Sequence, residues 1–215
     1  MVVFKLWWLM YNYRTLTEKQ QAEVVGRRKR NGLPLHAPPH FHEGSHIYLL
    51  TAANYNHVPI MTDENRRKEF KEKLLTLLAP DTGFTIHAWC ILPNHYHVVT
   101  EGTLAVLSKT LGRLHNGTAT QWNREDAVPG RKVWYRFNDR RIRTEAHFWV
   151  AVNYVHANAV HHGYVQTPSE WSPGSLHAYV AEYGPDRIRD LWNKYPVLDM
   201  GKGWDDQGHE HALRR

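Results

Sequence analysis

The spacing of apolar positions divides the middle of this chain into short strands and longer helices. The run His46-Ile47-Tyr48-Leu49-Leu50-Thr51 is rich in β-formers and predicts a first strand. From Asp63 to Ala79, Phe70, Leu74, Leu77 and Leu78 recur at helical spacing, while Arg66, Lys68 and Lys71 leave a polar face. Pro80 and Gly83 end that helix. Phe84 to Leu92 and Tyr96 to Thr100 are two β-rich runs split by Pro93-Asn94, the composition of a tight turn in a hairpin. Leu104, Leu107, Leu111 and Leu114 restore the helical period toward Trp122, Lys132 to Phe137 predicts a fourth strand, and Thr144 is positioned to cap a third helix reaching about Asn158.

Strand, helix, strand, strand, helix, strand is the order of a ferredoxin-like split βαβ unit. The expected fold is therefore α+β, an antiparallel sheet with helices on one face plus one added C-terminal helix. Residues 1–44 read as an N-terminal arm that is basic and rich in Pro and His, with no strand or helix period from Leu33 to His42. Residues 45–183 read as the catalytic domain. The polar stretch 184–215 reads as a tail without a core pattern.

The formal charge of +6, with sixteen histidines in reserve, favours an anionic partner such as nucleic acid. The single cysteine, Cys90, lies in an apolar run, which excludes a disulfide framework and a cysteine zinc finger and suits core packing. Met1 to Met10 is too short and too interrupted by Lys5 for a signal peptide, and no uncharged stretch is long enough to span a bilayer. The expectation is a soluble, cytoplasmic, nucleoid-associated protein with no membrane partner.

Candidate chemistry changes this picture at two places. In His95-Tyr96-His97 the histidines leave the same face of a strand and Tyr96 the other, so both imidazoles can reach one ion. Imidazole suits manganese, zinc, iron or nickel, whereas magnesium prefers oxygen ligands. A hydrogen-bonded pair at a strand edge is the alternative. On the third helix His147, Ala151, Tyr154 and Asn158 share one stripe beside an apolar stripe of Phe148, Val152 and Val155. The amide oxygen of Asn158 is a hard ligand able to complete a mixed His/His/Asn set with open positions for phosphate oxygens. The alternative here is a partly buried Tyr154 bonded locally. A phenol of pKa near ~10 is a poor nucleophile at neutral pH and needs a polarised phosphorus, which a cation provides. Tyrosine attack, unlike water attack, conserves the phosphodiester in a covalent link that a 3′-hydroxyl can reverse.

Two segments carry a family resemblance. They are Trp89-Cys90-Ile91-Leu92-Pro93-Asn94-His95-Tyr96-His97 and Asn153-Tyr154-Val155-His156-Ala157-Asn158-Ala159-Val160-His161-His162-Gly163-Tyr164-Val165. Together they resemble the REP-associated tyrosine transposases, relatives of small insertion-sequence transposases with a His-hydrophobic-His motif and one tyrosine. The resemblance runs from about Tyr11 to Tyr179. It implies His95, His97 and Asn158 as metal ligands, Tyr154 as the nucleophile forming a 5′-phosphotyrosine, Mg²⁺ or Mn²⁺ as cofactor, and palindromic hairpins with a single-stranded guide as substrate. Two departures stand out: Ala159 replaces the proline usual after the Asn, and Trp171-Ser172-Pro173-Gly174-Ser175 replaces a Trp-Pro-x-Ser-Ser run.

Basic and aromatic residues interleave before the third helix. Arg131, Lys132, Trp134, Arg136, Arg140, Arg141 and Arg143 are candidate contacts to single-stranded DNA, with an ordinary basic surface and Trp134 packed inward as the alternative. Arg27, Arg28, Lys29 and Arg30 are candidates for gripping a hairpin. A hydrolytic nuclease using the same metal and a non-catalytic binding module derived from a transposase are the competing functions. Whether the protein works as a monomer or a homodimer is open at this level.

Overall fold

The computed structural model describes residues 17–30 and 44–201. The chain forms two compact units, Met1–His42 and Glu43–Arg215. In the first, the described residues form helix α1 (Glu18–Arg30), with Lys29 and Arg30 exposed at its end; the side chains of Arg27 and Arg28 lie outside the description.

The second unit is built on a four-stranded antiparallel sheet in the order β2-β3-β1-β4, from β1 (His46–Ala53), β2 (Thr85–Ile91), β3 (His95–Gly102) and β4 (Asn138–Arg141). Helix α2 (Glu64–Leu77) connects β1 to β2, and α3 (Leu104–Glu125) connects β3 to β4, so the expected α+β, ferredoxin-like arrangement is observed. Asp63 starts α2 by accepting the amide of Arg66 at 2.9 Å, a cap that stabilises such a helix by about 1 kcal/mol. Phe70 and Leu74 of α2 and Leu104, Leu107, Leu111 and Trp122 of α3 bury against Tyr48, Leu50, Tyr96 and Val98 on one face of the sheet.

Helix α4 (Glu145–His161) covers the opposite face. Thr144 caps it, its Oγ1 accepting from the amide of His147 at 3.1 Å. Its Ala151, Val152, Val155 and Ala159 pack on Leu49, Ala88, Cys90 and Val99, and the alanines on both surfaces let helix and sheet approach closely. Both faces of β1 and β3 are therefore buried, which explains the near-continuous apolar sequence of β1.

Two elements differ from expectation. The paired fourth strand is Asn138–Arg141, whereas Lys132–Phe137 is an extended segment with one bridge, Trp134 to Asn54. Consecutive Val133 and Trp134 are both buried, which is not strand alternation, and β4 is a polar edge strand paired with β1. The stretch from Gly184 is not featureless either. Helix α5 (Leu176–Tyr183) is followed by α6 (Pro185–Lys194), whose Ile188 and Leu191 bury with Leu176, and Val197 and Met200 pack against the α4 cluster. The amide of Asn153 on α4 donates to the carbonyls of Leu191 and Tyr195, tying α6 down. Among the described residues no helix is long and apolar enough to cross a membrane.

Candidate active site

The hairpin between β2 and β3 closes with the amide of Leu92 donating to the carbonyl of His95 at 2.8 Å, which sets β3 in register from its first residue. Alternation along β3 then does the sorting. Tyr96 enters the α2/α3 core, while His95 and His97 face α4 with ring centroids 5.0 Å apart. On α4, Tyr154 and Asn158 lie one turn apart and meet the two imidazoles. Nε2 of His95 is 3.1 Å from Oδ1 of Asn158, and Nε2 of His97 is 3.5 Å from the Tyr154 hydroxyl. The four side chains are at most 3 % exposed. The structure thus brings His95, His97, Tyr154 and Asn158 into one buried group.

Each imidazole is held from behind. Nδ1 of His97 lies 2.7 Å from Oγ1 of Thr51, its cross-strand partner on β1. Nδ1 of His95 lies 2.7 Å from Oδ1 of Asn94, whose Nδ2 donates to the carbonyl of His57 at 3.3 Å and so fixes the amide's orientation. With Oδ1 of Asn94 as acceptor, His95 donates from Nδ1. Nε2 of His95 then faces the side-chain amide of Asn158. The Asn158 Nδ2 is buried without a hydrogen-bond partner among the described residues. Buried polar atoms are costly unless they are paired, and a cation held by this group would be one such partner. Two imidazole nitrogens and one amide oxygen suit a first-row divalent ion that keeps open positions. Among the described residues no three His, Cys, Asp or Glu side chains gather as a metal cluster, so an ion here depends on Asn158 as well as the histidines.

Around this group the remaining chemistry is quiet. Burial pushes the Cys90 thiol up to about 12. His156, bonded to Oγ of Ser175, is pushed down to about 3 by burial and is a neutral strut between α4 and the start of α5. His147, at the first turn of α4, is lowered by burial and then by the charges of Arg140 and Arg143. Access to Tyr154 is closed from one side by Gly201. A Cβ there would lie 2.2 Å from Cε2 and 2.8 Å from the hydroxyl oxygen of Tyr154, and the φ of +85° is one that glycine adopts freely.

The predicted DNA contacts divide. Trp134 is not available for stacking on bases: it is 8 % exposed in the α2/α3 core, lies 4.6 Å from the ring of His115, and donates to Oγ1 of Thr118. Arg131 is tied to Asn123 and Asp126 and serves the local structure. Lys132 sets its ammonium 4.3 Å from the Tyr55 ring centroid. Arg136, Arg140, Arg141 and Arg143 are exposed along the approach to α4, with Arg141 bonded to His46. Residues that sequence patterns did not single out are Thr51, Asn94 and Gly201. The one available signal was Thr51, a polar position on the α4 side of an otherwise apolar strand.

The antiparallel α+β arrangement of sheet and helices matches a transposase fold. The comparisons then name relatives. The chain is 28 % identical over 107 residues to the REP-associated tyrosine transposase of Escherichia coli (strain K12), covering 47 % of this chain and 59 % of that protein. It thus spans about three fifths of that relative's length. Its fold superposes with a TM-score of 0.55 on the structure of the REP-associated tyrosine transposase bound to a REP hairpin, at 20 % identity, covering 67 % of this chain and 85 % of that one. No family model matches the chain. The resemblance read from the sequence motifs is borne out by the first relative, and the fold by the second.

Proposed function

We propose that this protein cuts and rejoins single-stranded DNA beside a hairpin, as a single-tyrosine transposase with Tyr154 as its nucleophile. The observation that carries the reading is the Tyr154 hydroxyl 3.5 Å from Nε2 of His97, in a buried site shared with His95 and Asn158. The sequence relative's name supports the class of activity, and the REP hairpin bound in the solved relative supports hairpin DNA as partner.

His95 and His97 through Nε2, and Asn158 through Oδ1, would hold a divalent cation, Mn²⁺ or Mg²⁺. When bound, it supplies Lewis-acid polarisation of the scissile phosphate. Thr51 and Asn94 keep both Nε2 atoms aimed at that point. The Tyr154 oxygen gives up its proton and bonds to phosphorus; the bond from phosphorus to the 3′-oxygen breaks, and that oxygen takes up a proton. The products are a 5′-phosphate on Tyr154 and a free 3′-hydroxyl. Attack by a 3′-hydroxyl reverses the step and joins strands.

Incubating the protein with Mn²⁺ and a labelled hairpin bearing single-stranded flanks is expected to give a covalent protein-DNA adduct on denaturing gels, absent from Tyr154→Phe. Cleavage by Tyr154→Phe with no adduct would instead identify water as nucleophile. Binding without any cleavage would identify a non-catalytic module.

A further inference from the structure

Outward from the paired imidazoles, a file of rings leads from the buried site to the surface. The His162 ring centroid is 4.7 Å from that of His95, Tyr164 follows at 6.4 Å from His162, and Trp171 at 5.5 Å from Tyr164, inclined by 32°. Tyr164 is 41 % exposed, an aromatic face open to solvent. Its position is set by the end of α4: Gly163 takes φ +71°, its amide donates to the carbonyl of Val160, and the Tyr164 amide donates to the carbonyl of Ala159. This is a Schellman-type stop, which leaves the residue after the glycine in a defined place. Trp171 is equally fixed, its indole N–H donating to the carbonyl of Ile91 at 3.1 Å.

A cation stands at the outer end of this file. The Arg67 guanidinium lies 5.6 Å from the Trp171 ring centroid, and its Nη1 donates to the carbonyls of Met61 and Thr62. Its neighbour Arg66 is neutralised by Asp126 and Glu125. Arg67 has no such carboxylate among the described residues, and its Nε is a buried donor with no acceptor there. A fixed guanidinium without a counter-anion, beside stacked aromatic faces, is complementary to a nucleotide: phosphate to the cation, base to the rings.

We propose that Tyr164, Trp171 and Arg67 form a subsite for one unpaired nucleotide of the DNA strand that crosses the His95/His97 site, stacking its base and holding its phosphate. This rests on the strand-transfer reading above and names where that strand leaves the site. The subsite holds the strand in place while Tyr154 reacts.

The test measures binding by fluorescence anisotropy in EDTA, using the full chain, a hairpin with single-stranded flanks, and a series of the same DNA with one abasic position moved along each flank. Tyr164→Ala is expected to weaken binding of the intact DNA roughly tenfold. At one abasic position wild type and Tyr164→Ala should bind alike, and Tyr164→Phe should match wild type throughout. Arg67→Gln is expected to lower the salt dependence of log Kd by about 0.7 for a single strand, with thermal melting run alongside to report on the loop it anchors. If wild type binds but Tyr164→Ala binds equally well, or loses affinity equally at every abasic position, the subsite is overturned while the strand-transfer reading stands. If wild type does not bind this DNA at all, both fall.

Discussion

Two buried tyrosines sit on opposite faces of the same sheet, each beside a histidine, and they do different jobs. Tyr96 donates its hydroxyl to Nε2 of His115 at 2.9 Å inside an aromatic box of Phe70, Trp122 and Trp134. Burial raises that phenol and pushes His115 down to about 4, so donor and acceptor are both neutral and both satisfied. Tyr154 faces His97, whose other nitrogen is already held by Thr51, and one turn along α4 the side-chain amide of Asn158 meets Nε2 of His95. The residue types match across the sheet. What differs is the company each pair keeps: Tyr96 and His115 lie among aromatic rings, Tyr154 and His97 beside further polar side chains.

Exchanging each hydroxyl for hydrogen breaks the comparison most sharply. Tyr154→Phe is expected to abolish the covalent adduct while leaving the melting temperature close to wild type. Tyr96→Phe should keep the adduct but strand Nε2 of His115, costing about 1–3 kcal/mol, or several degrees of melting temperature. Adduct formation lost equally in both variants would show that the two faces are not functionally distinct.

The next largest effect tests what stands behind the imidazoles. Thr51→Val removes the hydroxyl from Nδ1 of His97 without changing the side chain's shape. It should weaken Mn²⁺ binding about 10- to 100-fold by titration calorimetry, and Thr51→Ser should restore it. Unchanged affinity in Thr51→Val would remove Thr51 from the site. A smaller change is expected on the near side of Tyr154. Gly201→Leu cannot coexist with the ring as packed, and a chain ending at Tyr195 lacks the covering segment altogether. Both should expose Tyr154 and raise the rate of adduct formation several-fold; slower reaction in both would mean that the segment completes the site.

The sequence made much of this face readable because its chemistry-bearing residues follow the two simplest periods. His95 and His97 differ by two on a strand, Tyr154 and Asn158 by four on a helix, and both patterns survive without knowledge of the tertiary fold. Helices α2, α3 and α4 were legible from apolar recurrence. Strand β4 was not, since Asn138, Asp139, Arg140 and Arg141 carry no apolar signal. Helix α6 hides Ile188 and Leu191 among charges, and its packing depends on Asn153, distant in sequence. Of the two readings open for Trp134 the structure takes the inward one, and the sequence alone cannot choose, because a basic, aromatic run looks the same whether its indole points outward or inward. Thr51 and Asn94 act through sheet register and turn geometry, which composition does not encode.

The mildest prediction concerns acid, and it acts on the quiet face first. His115 in the fold titrates near 4, against about 6.5 when unfolded, because burial disfavours its charge. The unfolded chain therefore binds more protons between these values, so stability falls as pH drops from about 6.5 toward 4 and levels below that. His156, lowered to about 3 by the same cause, extends the fall in the same direction. Each contribution is absent near neutral pH. His115→Gln keeps an acceptor within reach of Tyr96 but cannot titrate, so its melting temperature should fall less than that of wild type between pH 7 and 4, even from a lower start. Parallel pH profiles for the two proteins would mean that His115 takes up a proton as readily in the fold as in the unfolded chain, and that its burial contributes nothing to acid sensitivity.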